Sequence, residues 1–242
     1  MLSKNYLKKL QEILTLMSES ESGNIAEIAK VITESTIKGG LLHMFGCGHS
    51  HLLISEAFYR AGGFVPVNPI YETSAMLHEG AVKSSMVERM SGYAKHILDN
   101  YETKPGEVII IFSNSGINSL PIEMAMEAKE KGLKVVAVTS MEYKSEKSRH
   151  VSGKKLYEAA DYVIDTKIPK GDALVELEGG QGIAPGSTVV CAAIVNMLIC
   201  EIAECYQDAG VTPPFFISGN VEGGMERNEG YIREYKYRVK AL

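Results

Sequence analysis

Apolar residues recur at helical spacing from the start of the chain: Leu7, Leu10, Ile13, Leu14 and Met17, then Ile25, Ile28, Ala29, Val31 and Ile32. A polar stretch, Ser18 to Asn24, separates the two sets, so the pattern predicts two amphipathic helices within residues 1–38, ended by Gly39-Gly40. The pattern then changes. Leu41 to Phe45 is a compact apolar run that meets the glycine turn Gly46-Cys47-Gly48-His49-Ser50 and a helix over Leu52 to Ala61. Phe64 to Val67 reads as a second strand, short or at an edge because of Pro66 and Pro69. A helix over Ser85 to Tyr101 follows. The strand, turn, helix, strand succession then returns as Val108 to Phe112, Ser113 to Gly116, Leu120 to Lys131 and Lys134 to Thr139. Beyond a polar, mostly basic loop at 141–155, Tyr162 to Asp165 suits a fifth strand, and Ser187 to Gln207 a long apolar helix after a glycine-rich stretch.

Strands alternating with helices of this length predict an α/β fold: a doubly wound, mainly five-stranded parallel sheet with right-handed crossovers and additional N-terminal and C-terminal helices. The expected division is a helical pair at 1–38 packed on the core, an α/β domain at 39–210, and a C-terminal extension at 211–242 that contains Glu222-Gly223-Gly224.

Composition narrows the function. The 242 residues carry 25 Lys+Arg against 30 Asp+Glu, a formal net charge of -5. That balance argues against nucleic-acid binding, which draws its affinity from cations neutralising phosphates. Cys47, Cys191, Cys200 and Cys205 show no C-x-x-C spacing, which fits a reduced, cytoplasmic chain. The N-terminal segment lacks the uninterrupted apolar stretch of a signal peptide, and the longest apolar run, Val189 to Cys200, contains Asn196 and is shorter than the ~20 residues that span a bilayer. No membrane association is expected.

Two strand-to-helix turns carry the candidate chemistry, because open parallel sheets bind ligands at the carboxyl ends of their strands. The first, Gly46 to Ser50, is not a dinucleotide fingerprint, since the third glycine would fall at His51, and neither turn ends in the G-K-[ST] of a P-loop. No cofactor is expected. The second, Ser113-Asn114-Ser115-Gly116-Ile117-Asn118-Ser119, gathers hydroxyls and amides at a helix start, where they and the helix dipole suit a phosphate. Read as local structure alone, Ser119 would be the helix N-cap and the others turn residues.

The segments LLHMFGCGHSHLLISEAF and EVIIIFSNSGINSLPIEMAMEAKEKGLKVVAVTS together resemble the sugar isomerase (SIS) domain over about residues 35 to 210. The resemblance implies a flavodoxin-like doubly wound sheet that binds phosphosugars. Phosphoheptose isomerases and glucosamine-6-phosphate synthases place an S-x-S-G-x-[ST] turn on the phosphate, and Ser113, Ser115 and Asn118 occupy those positions, Asn118 in place of the commoner hydroxyl. Ser50 matches the serine closing the family's first glycine turn. Gly182 to Thr188 and the following helix look like the opening of the last helix in N-acetylmuramic acid 6-phosphate etherases, which adds Ser187 and Thr188. LHEGAVKSS, SRHVSGKKLY and GDALVEL look like a small bacterial group of SIS-domain proteins of unassigned activity. SIS domains pair so that two chains complete each site, which implies a homodimer or homotetramer.

Isomerase and etherase chemistry both begin with proton abstraction and call for a carboxylate or histidine. The candidates are Glu56, His49, His51, His78, Glu79 and Glu178, with Glu56 and His78 foremost as catalytic groups. Glu56 lies in the helix where SIS isomerases place catalytic groups, but phosphoheptose isomerases carry their glutamate a turn later, where this chain has Tyr59. It also points ~120° around the helix from Ser50. Cys47, His49 and His51 have metal-ligating atoms, but three ligands on one tight turn rarely converge on one ion, so no metal is assigned. His43, within an apolar run, is expected in the core. The reading at this level is a phosphosugar-binding protein whose expected activity is aldose–ketose isomerisation. Its rivals are a phosphosugar etherase or lyase, and a noncatalytic sensor.

Overall fold

The computed structural model describes all 242 residues. Five strands form one parallel sheet: β1 (Leu42–Gly46), β2 (Val67–Pro69), β3 (Val108–Phe112), β4 (Lys134–Thr139) and β5 (Tyr162–Asp165), in the order β2-β1-β3-β4-β5. Side chains alternate strictly across it. Val108, Ile110 and Phe112 of β3 enter one core and Ile109 and Ile111 the other, as the two-residue period of a strand buried on both faces requires.

The first face is covered by α1 (Leu2–Thr36), α2 (His51–Ala57) and α7 (Ser187–Asp208), and the second by α3 (Ala81–Val87), α4 (Ala94–Leu98), α5 (Ser119–Glu130) and α6 (Leu156–Ala159). Between β5 and α7, β6 (Ala173–Glu176) and β7 (Gly182–Pro185) pair antiparallel as a hairpin, and α8 (Gly224–Tyr235) lies in the C-terminal segment. The doubly wound expectation holds. Because β1 is followed by β2 on one side and β3 lies on the other, the winding direction reverses between β1 and β3, the place where such sheets open a crevice at their carboxyl ends.

Several local expectations are corrected. The N-terminal helical pair is one helix of 35 residues. Glu21, in the polar stretch taken as a break, stays on the buried stripe between Met17 and Ile25, and its carboxylate meets Lys167 Nζ at 3.0 Å. Pairing lets a charge occupy an apolar register without ending the helix. The second strand begins at Val67, not Phe64. Phe64 instead makes an antiparallel bridge to Phe215, so the C-terminal extension covers the approach to edge strand β2. The helix expected over Ser85 to Tyr101 is split into α3 and α4, with Gly92 between them at φ 81°, a left-handed conformation that ends helices. The β6–β7 hairpin was not anticipated within its glycine-rich stretch.

α7 is long and apolar enough, by length and composition, to cross a bilayer. One side of it packs into the core: Val190, Cys191, Ile194, Val195, Leu198 and Ile202 are buried against α1, α2 and the sheet.

Candidate functional site

At the carboxyl end of β1 the chain turns tightly. Gly46 is required there, because a Cβ would stand 2.8 Å from the carbonyl oxygen of Ser50. The turn brings His49 and Ser50 opposite the end of β3, where Phe112, Ser113 and Asn114 emerge. With Leu53 of α2 and Ser187, Thr188 and Cys191 of α7, these residues line a narrow cleft at the switch point, about 20 Å³ in volume and enough for roughly one water. Four of the six anticipated binding residues, Ser50, Ser113, Ser187 and Thr188, thus meet there, although they come from three separate parts of the chain.

Ser115 and Asn118 lie in the same β3–α5 turn but outside this lining. Ser113 Oγ accepts from the Gly116 N–H at 3.3 Å, which shapes the turn. Behind it, Asn114 is locked from both sides: its carbonyl accepts from Ser140 N at 2.9 Å and from Thr139 Oγ1 at 3.3 Å, and its Oδ1 accepts from Thr166 Oγ1 at 3.3 Å. Ser119 does not cap α5 through its side chain; its hydroxyl donates to the Arg149 carbonyl at 3.3 Å. Asn118 holds the N-cap position without a capping hydrogen bond, and its Oδ1 instead accepts from Arg149 Nη1 at 2.6 Å. The basic loop therefore delivers one cation to the start of α5.

The start of α7 is built differently. Asp172, just ahead of β6, accepts at Oδ1 from the N–H groups of Gly186 (3.1 Å) and Ser187 (2.8 Å), and at Oδ2 from Ser187 Oγ (2.5 Å). It ties down the start of α7 from 15 residues away in sequence. No local pattern marks it, since only the hairpin brings it to Ser187. Burial pushes the Cys191 thiol up to about 12, and the charge of Asp172 adds to that rise.

Of the acid–base candidates, His49 lines the cleft and the others sit outside its lining. Glu56, half-buried on α2, pairs with Arg60 one turn on. His78, exposed, packs its ring edge-on against His51, centroids 4.9 Å apart, and His51 Nδ1 hydrogen-bonds the Gly48 carbonyl. Glu79 pairs with Lys83. Of the possible metal ligands, Cys47 is buried in the second core, its thiol raised well above the usual range by burial and then by Glu88 and Glu72, while His49 is exposed. His43 is fully buried in β1, as expected.

The SIS domain family matches residues 5–140, more than half of the chain. The chain belongs to the SIS domain family. Across nearly the whole length this SIS protein is similar to UPF0309 proteins: 44% identical to one from Geobacillus kaustophilus, covering 98% of this chain and 95% of that protein, and 45% identical to one from Caldanaerobacter subterraneus, covering 98% of each. Among solved structures it shares its fold with a phosphoheptose isomerase from Francisella tularensis, at TM-score 0.54 and 15% identity over 83% of this chain and 96% of that one. It shares it also with the Vibrio vulnificus NanR protein complexed with ManNAc-6P, at TM-score 0.56 and 13% identity over 96% of this chain and 69% of that one.

Proposed function

We propose that this SIS protein binds a phosphorylated sugar or amino sugar at the β1/β3 switch point and isomerises it between aldose and ketose. The observation that carries the reading is the convergence of Ser50, Ser113, Ser187 and Thr188 on one cleft at the carboxyl end of a parallel sheet, where hydroxyls and helix amino termini suit a phosphate without a strongly basic chain. Ser115 and Asn118 complete the phosphate turn. The phosphosugar in the NanR structure and the phosphoheptose isomerase fold support the same class of ligand. His78, resting on the histidine that follows Ser50, is our choice to move the proton. Glu56, already neutralised by Arg60, is the alternative. We place the chain in a reducing cytoplasm, where its four free cysteines stay thiols.

Calorimetric titration of sugar phosphates into the Ser113→Ala/Ser115→Ala variant tests the site: binding should be lost, and unchanged affinity sinks the reading. A second reading is favoured by one observation, that no carboxylate lines the cleft. A noncatalytic sensor would bind the sugar and leave it unchanged. Chromatographic separation of the aldose and ketose phosphates after incubation distinguishes the two, and a product of altered mass would mark an etherase or lyase.

A further inference from the structure

At the amino-terminal ends of β1, β3 and β4, opposite the cleft, the end of α1 and the turn ahead of β3 enclose a hollow of about 350 Å³. Its wall is polar apart from Val31 and the Pro105 ring, and it carries three lysines from three places in the chain: Lys38 after α1, Lys104 before β3 and Lys134 at the start of β4. Lys38 and Lys134 make no ion pair, and Lys104 Nζ comes only to 3.8 Å from Glu102.

The groups that would ordinarily engage these lysines are already satisfied. Cations near a helix C-terminus neutralise its open carbonyls, but those of α1 accept from the chain itself: Thr33 from the Ile37 N–H, Ser35 from Lys38 and Gly40, and Thr36 from Gly39. Glu107, the buried carboxylate in the wall, takes the Leu41 and Lys104 N–H groups, Arg238 Nη2 and His43 Nε2, which fills the four lone-pair sites of an ionised carboxylate. The backbone donors are spent too, Gly106 on the Gly132 carbonyl and Lys134 on that of Glu107. Three ammonium groups therefore face one exposed, unpaired carboxylate, Glu34, across a water-filled polar hollow.

Cations converging from separate elements and left unpaired match an anion with more than one charged group. We propose that this hollow is a second ligand site, for a compact metabolite that carries two phosphate groups. It is independent of the cleft and of the phosphosugar reading. β1 and β3 each run five residues from the hollow to the switch-point turns, roughly 15 Å at about 3.3 Å per residue, too far for one small ligand to reach both. A ligand there would tie the end of α1 to the starts of β3 and β4.

Inorganic pyrophosphate is the probe, titrated calorimetrically into the full chain at low salt. It should bind at least five-fold more tightly than inorganic phosphate, and its affinity should persist within two-fold in Ser113→Ala/Ser115→Ala, which disables the cleft. Lys38→Gln/Lys134→Gln should weaken it at least ten-fold, and Lys104→Gln, in an exposed turn, at least three-fold. Lys144→Gln/Lys147→Gln removes the same charge from the basic loop and should leave the affinity within two-fold. No binding to the natural chain, no preference over phosphate, undiminished affinity in both hollow variants, or an equal loss in the basic-loop variant overturns the proposal. Binding lost in the serine variant but kept in the lysine variants would also overturn it, and would place the anion in the cleft, in support of the phosphosugar reading.

Discussion

Arg238, near the carboxyl terminus, donates Nη2 to Glu107 Oε1 at 2.7 Å just ahead of β3. The same carboxylate accepts from the Leu41 and Lys104 N–H groups at 3.0 and 2.8 Å and bonds His43 Nε2 at 2.9 Å, while His43 Nδ1 meets Asn68 Nδ2 at 3.0 Å. One buried network thus joins β1, β2 and β3 near their amino-terminal ends, away from the cleft, and closes the C-terminal segment over them. Arg238 also reaches the Gly39 carbonyl and Glu102.

Arg238→Ala should lower unfolding stability by about 2 kcal/mol in urea titrations. Stranding a buried charge costs about 3–5 kcal/mol, but Glu107 keeps three other partners. Phosphosugar affinity should change little, because the network lies at the opposite end of the strands. A loss below about 0.5 kcal/mol would show that Arg238 is dispensable to the network.

Glu107 also predicts an acid limb. Burial alone would raise its carboxyl, but hydrogen bonds from His43, Arg238 and the Lys104 N–H outweigh burial and bring it to about 2, from an ordinary 4.5. A folded value below the unfolded one means stability that is fully present above about 4.5 and is lost as pH falls towards 2, by roughly 3 kcal/mol from this group. Thermal midpoints of the natural chain should therefore fall more steeply over that interval than those of Glu107→Gln. Parallel curves would contradict this.

How much of this was legible in the sequence follows from how local each cause is. β3, β4 and β5 were readable to the residue, since runs such as Val108 to Phe112 bury both faces and need no distant partner. Glu21 misled because its register is settled by Lys167, which lies far along the chain. The switch-point serines could be picked out from turn chemistry and resemblance, but Asp172 could not, because its role exists only once the β6–β7 hairpin returns to α7. Glu21 is itself testable. Glu21→Leu continues the apolar stripe and leaves Lys167 its second partner, Asp165, at 3.0 Å. Stability should stay within about 1 kcal/mol or rise, as when buried ion pairs give way to apolar packing. A large loss would mean that the Glu21 pair, and not the stripe, holds α1 on the sheet.

Gly116 links the β3–α5 turn to the sheet. It has φ 61°, and a Cβ there would stand 2.7 Å from Thr139 Oγ1. Gly116→Ala should cost about 1–3 kcal/mol through a strained left-handed alanine and the displaced threonine. It should also weaken phosphosugar binding more than ten-fold, since Ser113 Oγ hydrogen-bonds the Gly116 N–H. Undiminished affinity in a destabilised variant would place the ligand elsewhere.

The outward side of α7 predicts self-association. Val189, Ala193, Asn196 and Cys200 follow at i, i+4, i+7 and i+11, the spacing of a helix-packing seam. Val189, Asn196 and Cys200 are exposed, and Ala193 is half-buried. Only a third of the most apolar stretch of this helix is buried within the chain. Small side chains along the seam allow close approach by the same helix of a second copy, and Asn196, which donates to the Ala192 carbonyl at 2.9 Å, places one polar group there to favour a single register. Two-fold pairing through α7 would also bring two switch-point clefts near one interface, because Thr188 and Cys191 of the same helix line the cleft. Light scattering at micromolar concentration should give a multiple of the 26.4 kDa chain mass. Ala193→Glu should reduce it to one chain, and a short bis-maleimide should link copies through Cys200. A natural chain that scatters as one copy would leave the seam without a partner and the site to be completed within a single chain.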